Sequence, residues 1–185
     1  MSAAARPLRC RCGAVRGSLD TGPRETIHAR CHCRDCRAAY TLRDEPDPGA
    51  VDLVMAAQSR LTLKAGAENL RCYRNGPRAP LRWYAACCGA PLFLSTSTPR
   101  LAHLSVNADR LEGDLGPIRA AFFRPEKPTH QGLAAVIPHS LAKLLAENLQ
   151  GAWKRSPLFQ GGEPIAEPHV LSPEERRASL AALTV

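Results

Sequence analysis

The 185-residue chain is 44% hydrophobic, carries a formal net charge of +8 and contains eight cysteines. That length supports one hydrophobic core with room for an appended tail. No apolar stretch approaches the roughly 18 residues a membrane span needs, and residues 1–13 lack an apolar core of the secretory type, so a cytoplasmic protein with no membrane partner is expected.

In a reducing compartment eight cysteines point to metal or redox chemistry rather than to disulfides. All eight lie between Cys10 and Cys88. Residues 1–100 hold 16 Lys/Arg against 8 Asp/Glu, and residues 101–185 hold 9 against 9, so the whole excess of charge belongs to the cysteine-bearing half. Lys64 is the only lysine before residue 101. Arginine in that proportion suits forked recognition of carboxylate or phosphate, unless the bias is one of coding.

Along the chain, segments 14–19, 25–29, 60–64, 69–74, 81–85, 91–95 and 101–106 alternate apolar and polar residues between Gly, Pro and Asn turns, and read as strands. The turn signal Arg74-Asn75-Gly76-Pro77-Arg78 predicts a hairpin of 69–74 with 81–85, whose far end would aim Cys87 and Cys88. Asp44-Glu45-Pro46-Asp47-Pro48-Gly49 reads as a loop, followed by an apolar piece, 50–57, of unassigned type. Helical signals come late. Ser140 is expected to cap a helix whose Leu141, Leu144, Leu145 and Leu149 share one side and pack on the β body. Ser172-Pro173-Glu174-Glu175 supplies a cap, a proline at the first helical position and a glutamate at the third, which predicts a short C-terminal helix with Leu180 and Leu183 as its apolar edge. The Gly/Pro-rich stretch 160–168 reads as a linker to a loosely packed tail. The fold class is therefore mainly β, with a zinc-binding β domain over 1–125 and a C-terminal extension of short helices over 126–185.

Cys31-His32-Cys33-Arg34-Asp35-Cys36 places three thiols within six residues, a spacing that lets a tight turn converge three thiolates on one tetrahedral zinc at about 2.3 Å. His32 points away from its neighbours in an extended segment and is a lesser candidate for ligand. Cys10-Arg11-Cys12-Gly13 and Cys87-Cys88-Gly89 are two further half-sites, each followed by a glycine that lets the backbone turn close to a metal. Adjacent cysteines on an extended chain face opposite ways, so Cys87 and Cys88 can share one ion only if the chain bends there. Cys72, in a predicted strand, reads as a small buried hydrophobe, the alternative being that it replaces Cys87 as a ligand. Two zinc ions are expected. Structural zinc is usually closed by four protein ligands and catalytic zinc keeps a position open, so the three clustered thiolates suggest an open site. Such a centre has a net charge of −1; it is a poor source of hydroxide but can hold an incoming thiol deprotonated.

Taken in order, Cys10-Arg11-Cys12-Gly13-Ala14-Val15-Arg16-Gly17, Cys31-His32-Cys33-Arg34-Asp35-Cys36-Arg37, Gly66, Leu70, Tyr73 and Cys88-Gly89-Ala90-Pro91 resemble the family of glutathione-dependent formaldehyde-activating enzymes, which also includes centromere protein V. The resemblance covers residues 8–106. It implies an Mss4-like zinc-bound β fold with a C-terminal helical extension, a structural zinc on Cys10, Cys12, Cys87 and Cys88, and a second zinc on Cys31, Cys33 and Cys36. It also implies carbon–sulfur lyase chemistry of the S-(hydroxymethyl)glutathione synthase kind, in which a glutathione thiolate adds to formaldehyde. Two features depart from the family. Its usual Cys-x-x-Cys before Gly-Ala-Pro would begin at Ala85, so Cys87 must stand in, and the region after residue 110, with Trp153-Lys154-Arg155-Ser156-Pro157, has no counterpart.

The expected function is a zinc-dependent carbon–sulfur lyase-like enzyme acting on glutathione or another small thiol and an aldehyde. The alternative is a non-catalytic zinc-stabilised module that binds protein or nucleic acid. Nucleic acid is not favoured, because the chain is only 5% aromatic and Tyr73, Trp83 and Tyr84 sit where a β core would use them rather than on a stacking platform. No proton-transfer residue stands out: His28, His103, His130 and His139 qualify by type alone.

Overall fold

Short alternating segments broken by turn residues cannot bury a helical stripe but can each present one apolar face, and the chain settles accordingly into sheets. The computed structural model describes residues 4–22 and 26–184, apart from the side chains of Ala4 and His139. The strands are β1 Ala4–Arg9, β2 Arg16–Thr21, β3 Ile27–Cys31, β4 Val51–Ala57, β5 Leu61–Ala65, β6 Leu70–Arg74, β7 Leu81–Ala85, β8 Pro91–Ser95, β9 His103–Asn107, β10 Ala120–Phe122, β11 Phe159–Gln160, β12 Glu163–Pro164 and β13 Pro168–Val170. The helices are α1 Arg34–Thr41, α2 Leu133–Leu149 and α3 Pro173–Ala181. The protein is thus mainly β, and no helix among the described residues is long and apolar enough to cross a membrane.

Three strands form one sheet in the order β1-β2-β5, and eight form a second in the order β10-β3-β4-β9-β8-β7-β6-β13. Pairing is antiparallel except at the two edges of the large sheet, where β10 runs parallel to β3 and β13 parallel to β6. Each of the seven predicted strand segments contributes a strand, with Glu25 of the 25–29 segment outside the described residues. The predicted hairpin is β6–β7, with Cys72 opposite Trp83 and Tyr73 opposite Arg82. The unassigned piece after Gly49 is β4, which pairs with β3 on one side and β9 on the other.

Leu8, Val15, Leu19 and Leu61 of the small-sheet region meet Trp83, Phe93, Leu104 and Val106 of the large sheet in the main core. Trp83 is 1% exposed and its indole N–H donates to Ser95 Oγ at 2.9 Å, so this large residue is buried without an unpaired donor. Gly66, before β6, has a φ of +77° and no room for a Cβ against the carbonyl of Ala14, so only glycine fits where that turn passes the strand.

The opposite face of the large sheet is covered unevenly. At one end Ile27, Ala29 and Ala120 pack with Val136 of α2. The middle of that face is left open.

The late helices depart from expectation in instructive ways. α2 begins at Leu133, after Gly132 with a φ of +74°, and Ser140 lies in its interior, donating to the carbonyl of Val136 at 2.9 Å instead of capping. Leu141, Leu145 and Leu149 are 60%, 61% and 80% exposed, so three of the four leucines of the predicted stripe face outward. The helix meets the body through Val136, which is buried, and through Ser140, Lys143, Leu144 and Glu147, which line a small cleft against β4 and His103. The tail is not loose either. Leu158 is fully buried in the main core, the stretch 160–168 contains the β11–β12 ladder, and β13 extends the large sheet. α3 carries the predicted capping box, with Ser172 Oγ accepting from the Glu175 N–H and the Glu175 carboxylate accepting from the Ser172 N–H. It packs on α1 through Thr41 Oγ1 to the carbonyl of Ser179 at 2.8 Å and Arg176 to Asp35 at 3.3 Å.

Candidate metal centres

Two groups of thiols converge, and together they take seven of the eight cysteines. Cys10, Cys12, Cys87 and Cys88 have their Sγ atoms within 4.8 Å of one another, as do Cys31, Cys33 and Cys36. All eight cysteines are free of disulfides. Either group could hold a metal ion.

The four-cysteine group is built by two turns. Cys10 and Cys12 follow β1, where Gly13, with a φ of +77°, donates to the carbonyl of Cys10 at 3.0 Å and the Val15 N–H donates to Cys10 Sγ at 3.3 Å. Cys87 and Cys88 sit in the turn after β7. The N–H groups of Cys88 and Gly89 both reach the carbonyl of Ala85, and Gly89 takes a φ of +75°. This bend turns both adjacent thiols to one side. The Sγ separations are 3.6 Å for Cys10–Cys12, 3.8 Å for Cys10–Cys87 and 3.3 Å for Cys12–Cys87. A tetrahedron of thiolates at about 2.3 Å from a metal has edges of about 3.8 Å, so the spacing fits a four-coordinate ion. Cys87 is the thiol that completes the group. Cys72 belongs to neither: it is buried in β6, its Sγ donates to the carbonyl of Ala166 at 3.4 Å, and burial pushes its thiol up to about 11.

The three-cysteine group lies between β3 and α1. Cys31 ends β3, Cys33 caps α1 by accepting from the Cys36 N–H at 3.4 Å, and Cys36 sits in the helix's first turn. A helix start favours negative charge, and a cap that is itself a thiol places two sulfurs one turn apart. Cys36 is the thiol held furthest toward the ionised form: Cys31 and Cys33 hydrogen-bond to it, and the Arg82 guanidinium adds both charge and a hydrogen bond. Cys31 moves the opposite way, because its hydrogen bonds with Cys33 and Cys36, and then its burial, favour the protonated thiol.

Arg82 is the residue that sequence reading missed. Strand register explains its position. Cys31 pairs with Val51, Leu53 with Asn107, Ser105 with Leu94, Leu94 with Arg82 and Arg82 with Tyr73, so all eight share the open face of the large sheet. The signal was the alternation Leu81-Arg82-Trp83-Tyr84-Ala85, whose apolar members face the core and whose arginine must face the other way.

These residues, with Phe122 at the end of β10 and Phe123 just after it, surround a cavity of about 250 Å³ that has Cys31, Cys33 and Cys36 in its wall. No fourth His, Cys, Asp or Glu among the described residues joins the three thiols. His32 is outside the group; its N–H donates to the carbonyl of Phe122 at 2.9 Å. None of the proton-transfer candidates His28, His103 and His130 lines the cavity. His28 bonds the carbonyl of Gly116, His103 bonds Ser105 Oγ, and His130 stacks edge-on with Phe123. The side chain of His139 lies outside the described residues.

The two centres are tied together. Gly89 abuts the backbone of Arg43 just past α1, and Arg43 lies over the ring of Tyr84 at 3.5 Å. The Arg11 side chain donates to the carbonyl of Cys88 and lies 3.6 Å from Glu45, which pairs with Arg110 at 2.6 Å. Arg110 in turn donates to the carbonyl of Pro91 at 3.1 Å. The loop after α1 therefore anchors the turn that carries Cys87 and Cys88.

No curated protein matches the chain. Among solved structures it resembles a crystal structure of a Rhodobacter sphaeroides protein, 28% identical, over 60% of this chain and 96% of that one, with a TM-score of 0.45. A family model matches residues 1–169, which take in both cysteine groups and leave α3 beyond the match. The chain belongs to DUF6151, a family of unknown function.

Proposed function

We propose that the protein is a zinc-dependent carbon–sulfur lyase-like enzyme that joins a small thiol to an aldehyde, or parts them. One observation carries this reading: among the described residues four thiols converge in one group, whereas the other group has three and borders a cavity. Two zinc ions fit the donor sets, since all-thiolate tetrahedral sites select soft or borderline metals. Cys10, Cys12, Cys87 and Cys88 would hold a structural ion, and Cys31, Cys33 and Cys36 a second. When bound there, zinc supplies positive charge and an open position that favour the deprotonated form of an incoming thiol.

The chain's own residues do the rest. Arg82, beside Cys36, offsets part of the surplus negative charge of three thiolates. Val51, Leu53, Leu94 and Phe122 set apolar side chains beside the sulfurs. In the forward direction the thiol sulfur bonds to the carbonyl carbon and the proton lost by the thiol ends on the former carbonyl oxygen, so the adduct is the simple sum of the reactants. The resemblance to glutathione-dependent formaldehyde-activating enzymes, and the Mss4-like fold it implies, accord with this chemistry, with glutathione as the thiol expected on that basis. A cytoplasmic setting accords with eight free thiols.

The test is metal content together with turnover. Wild-type protein should carry two zinc ions per chain, and Cys33→Ser one. Wild type alone should speed adduct exchange between a thiol and formaldehyde, followed by NMR exchange spectroscopy. Two zinc ions with no acceleration by any thiol would replace this reading with a non-catalytic zinc-stabilised binding module.

A further inference from the structure

We infer that the three-cysteine site takes a compact apolar thiol, aliphatic or aromatic, in preference to glutathione. The inference rests on the reading of that site as an open thiol-binding centre and narrows its substrate. What the cavity offers an incoming molecule beyond the sulfurs is chiefly a set of apolar walls: Val51, Leu53 and Leu94 from the sheet, with Phe122 at the end of β10 and Phe123 just after it.

Three polar side chains of the cavity, Arg82, Ser105 and Asn107, face groups of the protein itself. Arg82 is the one cation among its described lining residues, and its guanidinium lies beside the Cys36 thiol. Ser105 Oγ is 3.0 Å from His103 Nε2, and the Asn107 amide donates to the carbonyl of Pro91 at 3.2 Å. No carboxylate is among its described lining residues. Glutathione would bring two carboxylates and an ammonium to a wall with one engaged guanidinium and no anion, and a buried charge without a partner is strongly disfavoured. Size points the same way. A cavity of about 250 Å³ lies below the roughly 300–1,000 Å³ that drug-sized ligands occupy.

Phe123 adds an independent observation. It is 57% exposed at the cavity's edge and holds a φ of +54°, a left-handed conformation that a bulky residue rarely adopts. Its N–H donates to His130 Nδ1 at 3.3 Å, and the imidazole packs edge-on against its ring at 5.0 Å. An exposed aromatic ring fixed in a strained backbone at the edge of an apolar cleft suits contact with an apolar ligand.

The experiment is a thiol titration of the full chain loaded with cobalt(II), read by the visible absorption of the metal. Benzyl mercaptan and butanethiol should change the spectrum at concentrations at least tenfold below those glutathione requires. Phe123→Ser should raise the benzyl mercaptan concentration several-fold, with cobalt content and the glutathione response unchanged. Glutathione acting at equal or lower concentration overturns the inference and leaves the open-site reading standing. If no thiol changes the spectrum, the open-site reading itself falls and takes the inference with it.

Discussion

Arg82 on β7 lies beside the Cys36 thiol on α1 and favours its ionised form by charge and hydrogen bonding. Hydrogen bonds to charged groups contribute about 1.5–3 kcal/mol, so Arg82→Leu should weaken metal binding at the three-cysteine site about tenfold or more in competition with a chelator. The four-cysteine site should keep its affinity, and equal weakening at both sites would show that Arg82 acts on the fold at large. Asp47 plays a different part. It accepts from the Arg37 guanidinium and, at 2.8 Å each, from the N–H and hydroxyl of Thr184, while its own side chain is only 2% exposed. Arg37 above all, then Gly49 and Thr184, holds its carboxyl well below the ordinary range. A depressed folded value stabilises the protein above the unfolded value of about 3.9 and ceases to do so as pH falls through the folded one. The stability difference between wild type and Asp47→Asn, measured by urea titration, should therefore be constant above about pH 5 and shrink below about pH 4. A difference that persisted undiminished in acid would rule out this carboxylate as its source.

At the scale of elements, α1 is eight residues long, too short to hold itself together in water, and owes its position to what surrounds it. Cys33 caps it, α3 packs along it, and Arg37 ties it to both Asp47 and the carbonyl of Thr184. The tail is thus a brace for the helix that carries Cys36. Removing residues 172–185 should increase hydrogen exchange in α1 and loosen metal at the three-cysteine site while leaving exchange in β7 and β8 unchanged. α2 makes the opposite case, since three of its stripe's four leucines are exposed while Leu158, just beyond it, is fully buried. Leu145→Ala should change stability by no more than about 0.5 kcal/mol, whereas Leu158→Ala should cost about 2–5 kcal/mol in denaturant titration.

Across the whole molecule, local signals were legible and long-range ones were not. The seven alternating segments, the Asn75-Gly76 turn and the Ser172 capping box each act within a few residues, and each has its counterpart in the structure. The cysteine groups announced themselves by spacing, and the sheet brings Cys10 and Cys12 to Cys87 and Cys88. β1, with Arg6 and Pro7 in its middle, lacks an apolar alternation, and β10 and β13 are three-residue edge strands whose partners lie about 90 residues away in sequence. α1 hides inside the cysteine run because its cap is a thiol rather than a hydroxyl or carboxylate. The direction of the α2 stripe depends on which side of the helix the sheet occupies, a tertiary fact that periodicity alone does not carry. Arg82 reaches Cys36 only through the register of five strands.

The central claim is that Cys31, Cys33 and Cys36 hold a metal with one position left for a thiol. X-ray absorption at the zinc edge of the two-zinc protein, recorded before and after adding a small thiol, tests it most directly. The account predicts that the one lighter neighbour per pair of ions is replaced by sulfur on thiol addition, and that Cys33→Ser abolishes the change. Zinc already surrounded by sulfur alone before the thiol arrives, or a spectrum unmoved by it, would contradict the claim.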